Sequence, residues 1–161
     1  GMSWGRVVHR VLEVCAQEFT PDLGLLVESI VAEEGRHPED KQEVLELVGG
    51  ILESPFWQRV LESDRRFTEV PFSIKMDSEE FGLAGETVVS GIIDLVFKED
   101  GGWVLVDYKT DTIGDDIMFR ELVDYYGPQV QMYKEYWGDL TGEKVAEAGL
   151  YFTYNGNWVT V

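Results

Sequence analysis

Residues 87–110 read TVVSGIIDLVFKEDGGWVLVDYKT and contain the most strongly strand-forming part of the sequence. Two runs of β-branched and apolar residues, 87–98 and 103–110, flank the segment Glu99-Asp100-Gly101-Gly102. Such runs predict strands, and a short segment containing Asp-Gly between them predicts a tight turn. We therefore predict two antiparallel strands joined as a hairpin.

The turn also predicts which residues face each other. A turn centred between Asp100 and Gly101 places Asp94 opposite Asp107. Because side chains alternate between the two faces of a strand, Lys109 shares a face with both aspartates. The other face is predicted to carry Ile93, Leu95, Val106 and Tyr108. A bulge in either strand would shift this pairing by one residue.

Two opposed carboxylates on an apolar hairpin predict a cation site. Like charges directly opposite each other destabilise a sheet by about 0.2–1 kcal/mol, and partial burial increases the repulsion. Oxygen ligands from two Asp side chains suit Mg²⁺ or Mn²⁺. Lys109 could then polarise a water or stabilise charge on a phosphate. The alternative, a solvent-exposed face with ordinary charges, is disfavoured because Asp is uncommon within strands.

The part of the chain before the hairpin is predicted to be helical over residues 3–63. Apolar residues recur at helical spacing after Ser3, a candidate N-cap, and again over residues 39–53. Between them, Thr20-Pro21-Asp22 is typical of a helix start, and a short helix is expected from Pro55.

The remaining segments complete an α/β domain. Residues 67–76 alternate as a half-buried strand does. Residues 115–126 and 128–138 predict two helices broken at Gly127-Pro128. A strand over 145–154 and a last strand over 157–161 follow. We predict a single domain over residues 1–161, with residues 67–161 forming a small, mostly antiparallel sheet and a crossover helix.

Composition limits the class of protein. The 161 residues are 44% hydrophobic and 12% aromatic, which predicts one globular domain. No apolar run approaches the roughly 20 residues of a membrane helix, and the N-terminus lacks a signal-peptide pattern. A single cysteine, Cys15, excludes an intrachain disulfide and a four-cysteine iron–sulfur site. A cytoplasmic location and no membrane partner are expected.

The charge opposes a simple nucleic-acid-binding role. With 31 acidic and 13 basic residues, the formal net charge is -18. A free-standing nucleic-acid binder usually carries a basic surface. Binding of a basic protein partner is therefore an alternative explanation for the acidic composition.

Several motifs occur along the chain in the order that one protein family shows. They are His9 on the first predicted helix, Glu69 at the start of the first strand, the strings 91–96 and 106–110, Gln129 with Tyr133, and Tyr151-Phe152 near the end. Together they resemble the PD-(D/E)XK nuclease superfamily over nearly the whole chain. The pattern is most similar to the C-terminal nuclease domain of RecB/AddA-type helicase–nucleases, whose motor is a UvrD/Rep-type helicase.

This resemblance implies a restriction-endonuclease-like core and a set of site residues. It implies metal ligation by His9, Asp94, Asp107 and the Tyr108 carbonyl, catalytic roles for Asp94, Asp107, Lys109 and Glu69, and substrate contacts by Gln129 and Tyr133. The implied cofactor is Mg²⁺, with Mn²⁺ as a substitute, and no iron–sulfur cluster. Three residues have structural alternatives: His9 as a core histidine, Glu69 as a solvated strand-edge charge and Tyr133 as core packing.

The resemblance also implies a function and a setting. The expected activity is exonucleolytic hydrolysis of DNA phosphodiester bonds during double-strand-break repair and recombination. The chain lacks a Walker-type phosphate loop, so a helicase portion is expected elsewhere in the same polypeptide, together with a partner subunit. If these hold the DNA, the acidic nuclease domain needs little DNA affinity of its own. The alternative is a catalytically inactive scaffold or protein-docking module with this fold.

Overall fold

The computed structural model describes residues 2–17, 22–77 and 86–161. The elements in these ranges are α1 (Met2–Ala16), α2 (Leu23–Glu33), α3 (Asp40–Leu52), α4 (Pro55–Glu62), β1 (Arg66–Asp77), β2 (Glu86–Glu99), β3 (Gly102–Lys109), α5 (Asp116–Thr141), β4 (Val145–Phe152) and β5 (Asn157–Thr160). None of these helices is both long and apolar enough to cross a membrane.

The five strands form one mixed sheet in the order β1-β2-β3-β4-β5. Strands β1 and β2, β2 and β3, and β4 and β5 pair antiparallel. Strands β3 and β4 pair parallel, and α5 lies between them in the chain. The predicted α/β class, the mostly antiparallel sheet and the crossover helix are therefore confirmed.

Helices pack against both faces of the sheet. One buried cluster, the α1–α4 side, joins apolar residues of these helices to Leu95, Phe97, Val104, Val106, Tyr108 and Tyr151. The other cluster, the α5 side, joins Val130, Tyr133 and Trp137 of α5 to Phe72, Ile93, Val96, Trp103, Leu105, Ala148, Leu150 and Phe152. Strands β2 and β3 are apolar on both faces because they lie between these two layers.

Two helix starts differ from the sequence prediction. Helix α1 begins at Met2, so Ser3 lies within its first turn, where its hydroxyl accepts a hydrogen bond from Arg36 at 3.0 Å. Asp22 is the N-cap of α2, and its carboxylate accepts a hydrogen bond from a backbone amide of the first turn. Thr20 and Pro21, predicted at the same start, lie outside the described residues.

The predicted break at Gly127-Pro128 is wrong. Helix α5 runs without interruption from Asp116 to Thr141, with Pro128 inside it, and Gly142 at φ +66° follows its end. Proline removes one backbone donor and strains the preceding turn. The apolar face of the helix continues past this point into the same buried cluster, through Val130, Tyr133 and Trp137. Packing of both halves against one sheet therefore outweighs the local preference for a break.

Candidate functional site

The site lies where the β2–β3 hairpin ends. The two strands pair from Glu99 opposite Gly102 to Leu95 opposite Val106, which is the predicted register without a bulge. At the next position the Tyr108 amide donates a hydrogen bond of 2.7 Å to Oδ2 of Asp94. A buried carboxylate thus takes the place of a backbone acceptor at the end of the ladder.

Asp107 and Lys109 occupy the α5 side of β3, as the alternation predicted. The Lys109 ammonium lies 2.6 Å from Oδ2 of Asp107. It also lies 3.9 Å from the centroid of the Tyr126 ring on α5, a distance typical of a cation–π contact. Lys109 is therefore held between a carboxylate and an aromatic ring, with 14% of its side chain exposed.

Ile93 departs from the prediction. It was expected to share a face with Leu95, but it lies in the α5-side cluster while Leu95 lies in the α1–α4-side cluster. The side-chain alternation of β2 therefore reverses at Asp94, between these two residues. Asp94 consequently does not project straight onto the α5 face with Asp107 and Lys109.

His9 meets Asp94 from the opposite layer. Its Nδ1 lies 3.3 Å from Oδ1 of Asp94, and its ring packs edge-on against Tyr108 at a centroid distance of 5.6 Å. Burial disfavours the charged imidazole, but the hydrogen bond to Asp94 and the charges of Asp94, Asp107 and Glu69 outweigh burial and raise the pKa of His9. His9 therefore faces carboxylates with a side chain 29% exposed, unlike a histidine enclosed in an apolar core.

Three ligand-type side chains converge at this point. One ligand atom each of His9, Glu69 and Asp94 lies within 4.8 Å of the others. Burial and the nearby charge of Asp94 raise the pKa of Glu69. Asp107 is not part of this trio, and its carboxylate instead contacts Lys109.

The pKa of Asp107 is strongly perturbed. Asp107 is 4% exposed, and its pKa is raised to about 6, mainly by burial and secondly by repulsion from Asp94. Lys109 partly offsets this effect because its positive charge favours the carboxylate. The three carboxylates, one imidazole and one ammonium leave negative charge that a divalent cation would neutralise.

Gln129 and Tyr133 occupy different environments on α5. Gln129 is exposed, whereas Tyr133 is 1% exposed and packs edge-on against Phe72 at 5.0 Å. The Gln129 amide donates a hydrogen bond of 2.5 Å to the Tyr133 hydroxyl. Burial raises the pKa of Tyr133 above its ordinary range. Tyr133 is thus buried and accepts a hydrogen bond from the Gln129 amide, which lies at the surface.

Two features of the site were missed from the sequence. The contact of Tyr126 with Lys109 could have been predicted in part, because Tyr126 lies seven residues before Tyr133 and therefore on the same face of the helix. The backbone of Glu69 had none: its φ is +50°, a left-handed conformation that non-glycine residues rarely adopt. No residue pattern around Glu69 marks that conformation.

Comparisons with known proteins agree with the motifs. The family model of the PD-(D/E)XK nuclease superfamily matches residues 2–157. A protein of Carboxydothermus hydrogenoformans, named as an ATP-dependent helicase/nuclease subunit, is 34% identical over 94% of this chain and 14% of its own length. Its namesake in Acetivibrio thermocellus is 33% identical over 94% of this chain and 13% of its own length. The chain therefore spans about one-seventh of the length of these curated relatives.

Proposed function

The chain belongs to the PD-(D/E)XK nuclease superfamily, as its motifs predicted, and we therefore propose that it hydrolyses DNA phosphodiester bonds with a divalent cation as cofactor. Its mixed sheet between two helical layers is the expected restriction-endonuclease-like core. One observation carries the proposal. Buried Asp107 lies beside Asp94 and is in contact with Lys109, on the hairpin that bears the family motif.

The proposed ligands of the cation are His9, Asp94 and Asp107, with the Tyr108 carbonyl as a further oxygen and Glu69 as an additional carboxylate. The spacing of His9, Glu69 and Asp94 supports this set. Adjacent ligand atoms around a Mg²⁺ ion are about 3 Å apart, so the three side chains, which lie within 4.8 Å of one another, would draw closer together around the ion. The raised pKa of Asp107 is a second supporting observation, because a bound cation favours the ionised form.

We propose Mg²⁺ as the resident ion and Mn²⁺ as an effective substitute. Carboxylate and carbonyl oxygens suit both ions, whereas an imidazole nitrogen such as that of His9 suits the softer Mn²⁺ better. Tighter binding of Mn²⁺ than of Mg²⁺ is therefore expected. Mn²⁺ is also the more convenient probe, because it is paramagnetic.

In the reaction, the bound cation would supply Lewis acidity toward a phosphate oxygen and lower the pKa of a water. The Lys109 ammonium, fixed between Asp107 and the Tyr126 ring, is placed to stabilise negative charge on the phosphate and to orient the attacking water. The 3.3 Å separation of His9 Nδ1 and Asp94 Oδ1 places an imidazole and a carboxylate side by side, as two ligands of one cation would be. Gln129 is the proposed substrate contact, and Tyr133 acts by holding its amide.

The place of this domain in a longer protein is also a proposal. Its relatives are named helicase/nuclease subunits and are about seven times longer than this chain. We propose that residues 1–161 form a single nuclease domain, that a helicase portion of the same polypeptide and a partner subunit hold the DNA, and that the assembly degrades DNA ends exonucleolytically in double-strand-break repair. The net charge of -18 supports this division of labour, because the domain itself repels phosphates.

The experiment combines cation binding with cleavage. Mn²⁺ binding by wild type, Asp94→Asn and Lys109→Ala is measured by calorimetry, and cleavage of end-labelled DNA is followed at low salt and high protein concentration. Lys109→Ala should retain the cation yet cleave about 100-fold more slowly, because an electrostatic group of the transition state is lost. Asp94→Asn should lose both. Asp64→Asn is the matched control, because Asp64 is exposed at the far end of the domain.

The opposing interpretation is an inactive scaffold with the same fold. Wild-type protein that binds no cation, or that cleaves no DNA even when joined to its helicase portion, would establish that alternative. Equal cleavage by wild type and Lys109→Ala would instead show that any activity arises elsewhere in the preparation.

A further inference from the structure

Strands β1 and β2 pair in one register along their whole described length, with a single position left out. Thr68 pairs with Leu95, and Val70 pairs with Ile93. The position between them, Glu69 opposite Asp94, is absent from the ladder. Glu69 is also the only non-glycine residue with a positive φ in the described part of the chain.

The side-chain alternation reverses across this position on both strands. Before it, Phe67 contacts the rings of Trp103 and Trp137 on the α5 side. Regular alternation would place Glu69 on this same side, but Val70 packs there instead. On β2, Val96 and Ile93 both lie in the α5-side cluster, although regular alternation would put them on opposite faces.

The reversal changes what the two carboxylates can reach. In an uninterrupted sheet, Glu69 and Asp94 would both project to the α5 side. His9 lies on α1, in the layer on the other side of the sheet. The interruption instead brings both carboxylates within 4.8 Å of the His9 ring nitrogen. It does so while the apolar residues flanking it stay packed on the α5 side.

We propose that the paired interruption at Glu69 and Asp94 positions their carboxylates for the cation site. The left-handed backbone of Glu69 maintains this interruption, and a regular strand conformation at Glu69 would remove it. This inference rests on the cation binding proposed above. The left-handed conformation crowds the Cβ atom of any residue except glycine, so Glu69 adopts it at a conformational cost. Such strain persists when the surrounding structure and the function require the geometry.

The first test separates the backbone from the carboxylate. Glu69→Gly and Glu69→Ala both remove the carboxylate, but only glycine relieves the strain. In EDTA, Glu69→Gly should melt about 2–4 °C above Glu69→Ala. The same pair at Thr68, a regularly paired neighbour, is the control, and there glycine should melt below alanine. A Glu69→Gly variant that melts at or below Glu69→Ala overturns the proposal.

The second test asks whether the backbone positions Asp94. Glu69→Gln removes the charge, whereas Glu69→Val also resists the left-handed conformation, because its β-branched side chain crowds the backbone. Glu69→Val should therefore bind Mn²⁺ at least about tenfold more weakly than Glu69→Gln, as measured by electron paramagnetic resonance. It should also shift the NMR signal of the Tyr108 amide, which donates to Asp94.

The outcomes distinguish this inference from the proposed function. Wild-type protein that binds no Mn²⁺ overturns both. Normal Mn²⁺ binding by wild type, together with equal affinities for Glu69→Val and Glu69→Gln and an unchanged Tyr108 signal, overturns only the positioning role.

Discussion

Replacing Asp107 by asparagine is expected to stabilise the metal-free protein at neutral pH and to abolish its stabilisation by divalent cations. Asp107 is buried beside Asp94, and both burial and repulsion disfavour its ionised form. Asparagine has nearly the same shape and no charge. The substitution therefore removes an electrostatic cost in the absence of metal and a ligand in its presence.

The magnitude follows from the pKa of Asp107. The gap between about 6 in the folded protein and the ordinary value of 3.8 corresponds to about 3 kcal/mol, at about 1.36 kcal/mol per pH unit. Loss of the Lys109 contact offsets part of this, so we expect a net gain of about 1–2 kcal/mol at about pH 7.5. For a protein of this size, that gain is about 2–8 °C in Tm.

The sign of the pH dependence follows from proton uptake. Between about pH 4 and pH 6 the folded protein holds a proton on Asp107 that the unfolded chain has released. The stability from this raised pKa is present below the unfolded value and is lost as the pH rises through about 6. The raised pKa of His9 adds a loss of stability at higher pH in both proteins, and this loss is smaller in Asp107→Asn because the Asp107 charge contributes to that raised pKa. The advantage of Asp107→Asn should therefore grow from about pH 4 to about pH 7.

Thermal unfolding of both proteins across this pH range, in EDTA and with Mn²⁺, provides the assay. Asp64→Asn is the control for loss of a negative charge at an exposed position. A melting temperature of Asp107→Asn below that of wild type in EDTA at neutral pH, or a difference of the same size at about pH 4, would contradict this prediction. The first result would mean that the Lys109 contact dominates the energetics of Asp107, and the second that the ionisation of Asp107 does not contribute to the difference.

Two further predictions concern stability away from the site. Gly149→Ala should lower the free energy of unfolding by about 1–3 kcal/mol, because the added Cβ would lie 2.3 Å from the Val159 carbonyl oxygen. Gly50→Ala, on an open helix surface, should raise it by about 1 kcal/mol. Urea unfolding measures both changes, and a loss of stability in Gly50→Ala would contradict the steric argument. Arg59→Lys should lower Tm by about 2–4 °C, because lysine cannot reproduce the two 2.8 Å contacts of the guanidinium with Glu99, and an unchanged Tm at low salt would show that this ion pair adds nothing.

The hairpin was predictable because its information is local. A short turn sets the register, and the two-residue period of a strand then places Asp107 and Lys109 on one face. The same local reasoning failed at Pro128, where packing of α5 on the sheet overrides the proline. It failed again at Ile93, because the reversal at Asp94 involves the neighbouring strand β1.

The residues of the site and their order along the chain can be found from its motifs, whereas their electrostatics cannot. His9 and Asp94 are 85 positions apart in the chain, and only the packing of α1 against the sheet brings Nδ1 within 3.3 Å of Oδ1. The pKa of Asp107 depends on how completely both helical layers exclude water from β3. Desolvation and the left-handed backbone of Glu69 are properties of the assembled layers. Local sequence carries the strand and turn preferences, and tertiary structure alone sets the charge balance of the proposed cation site.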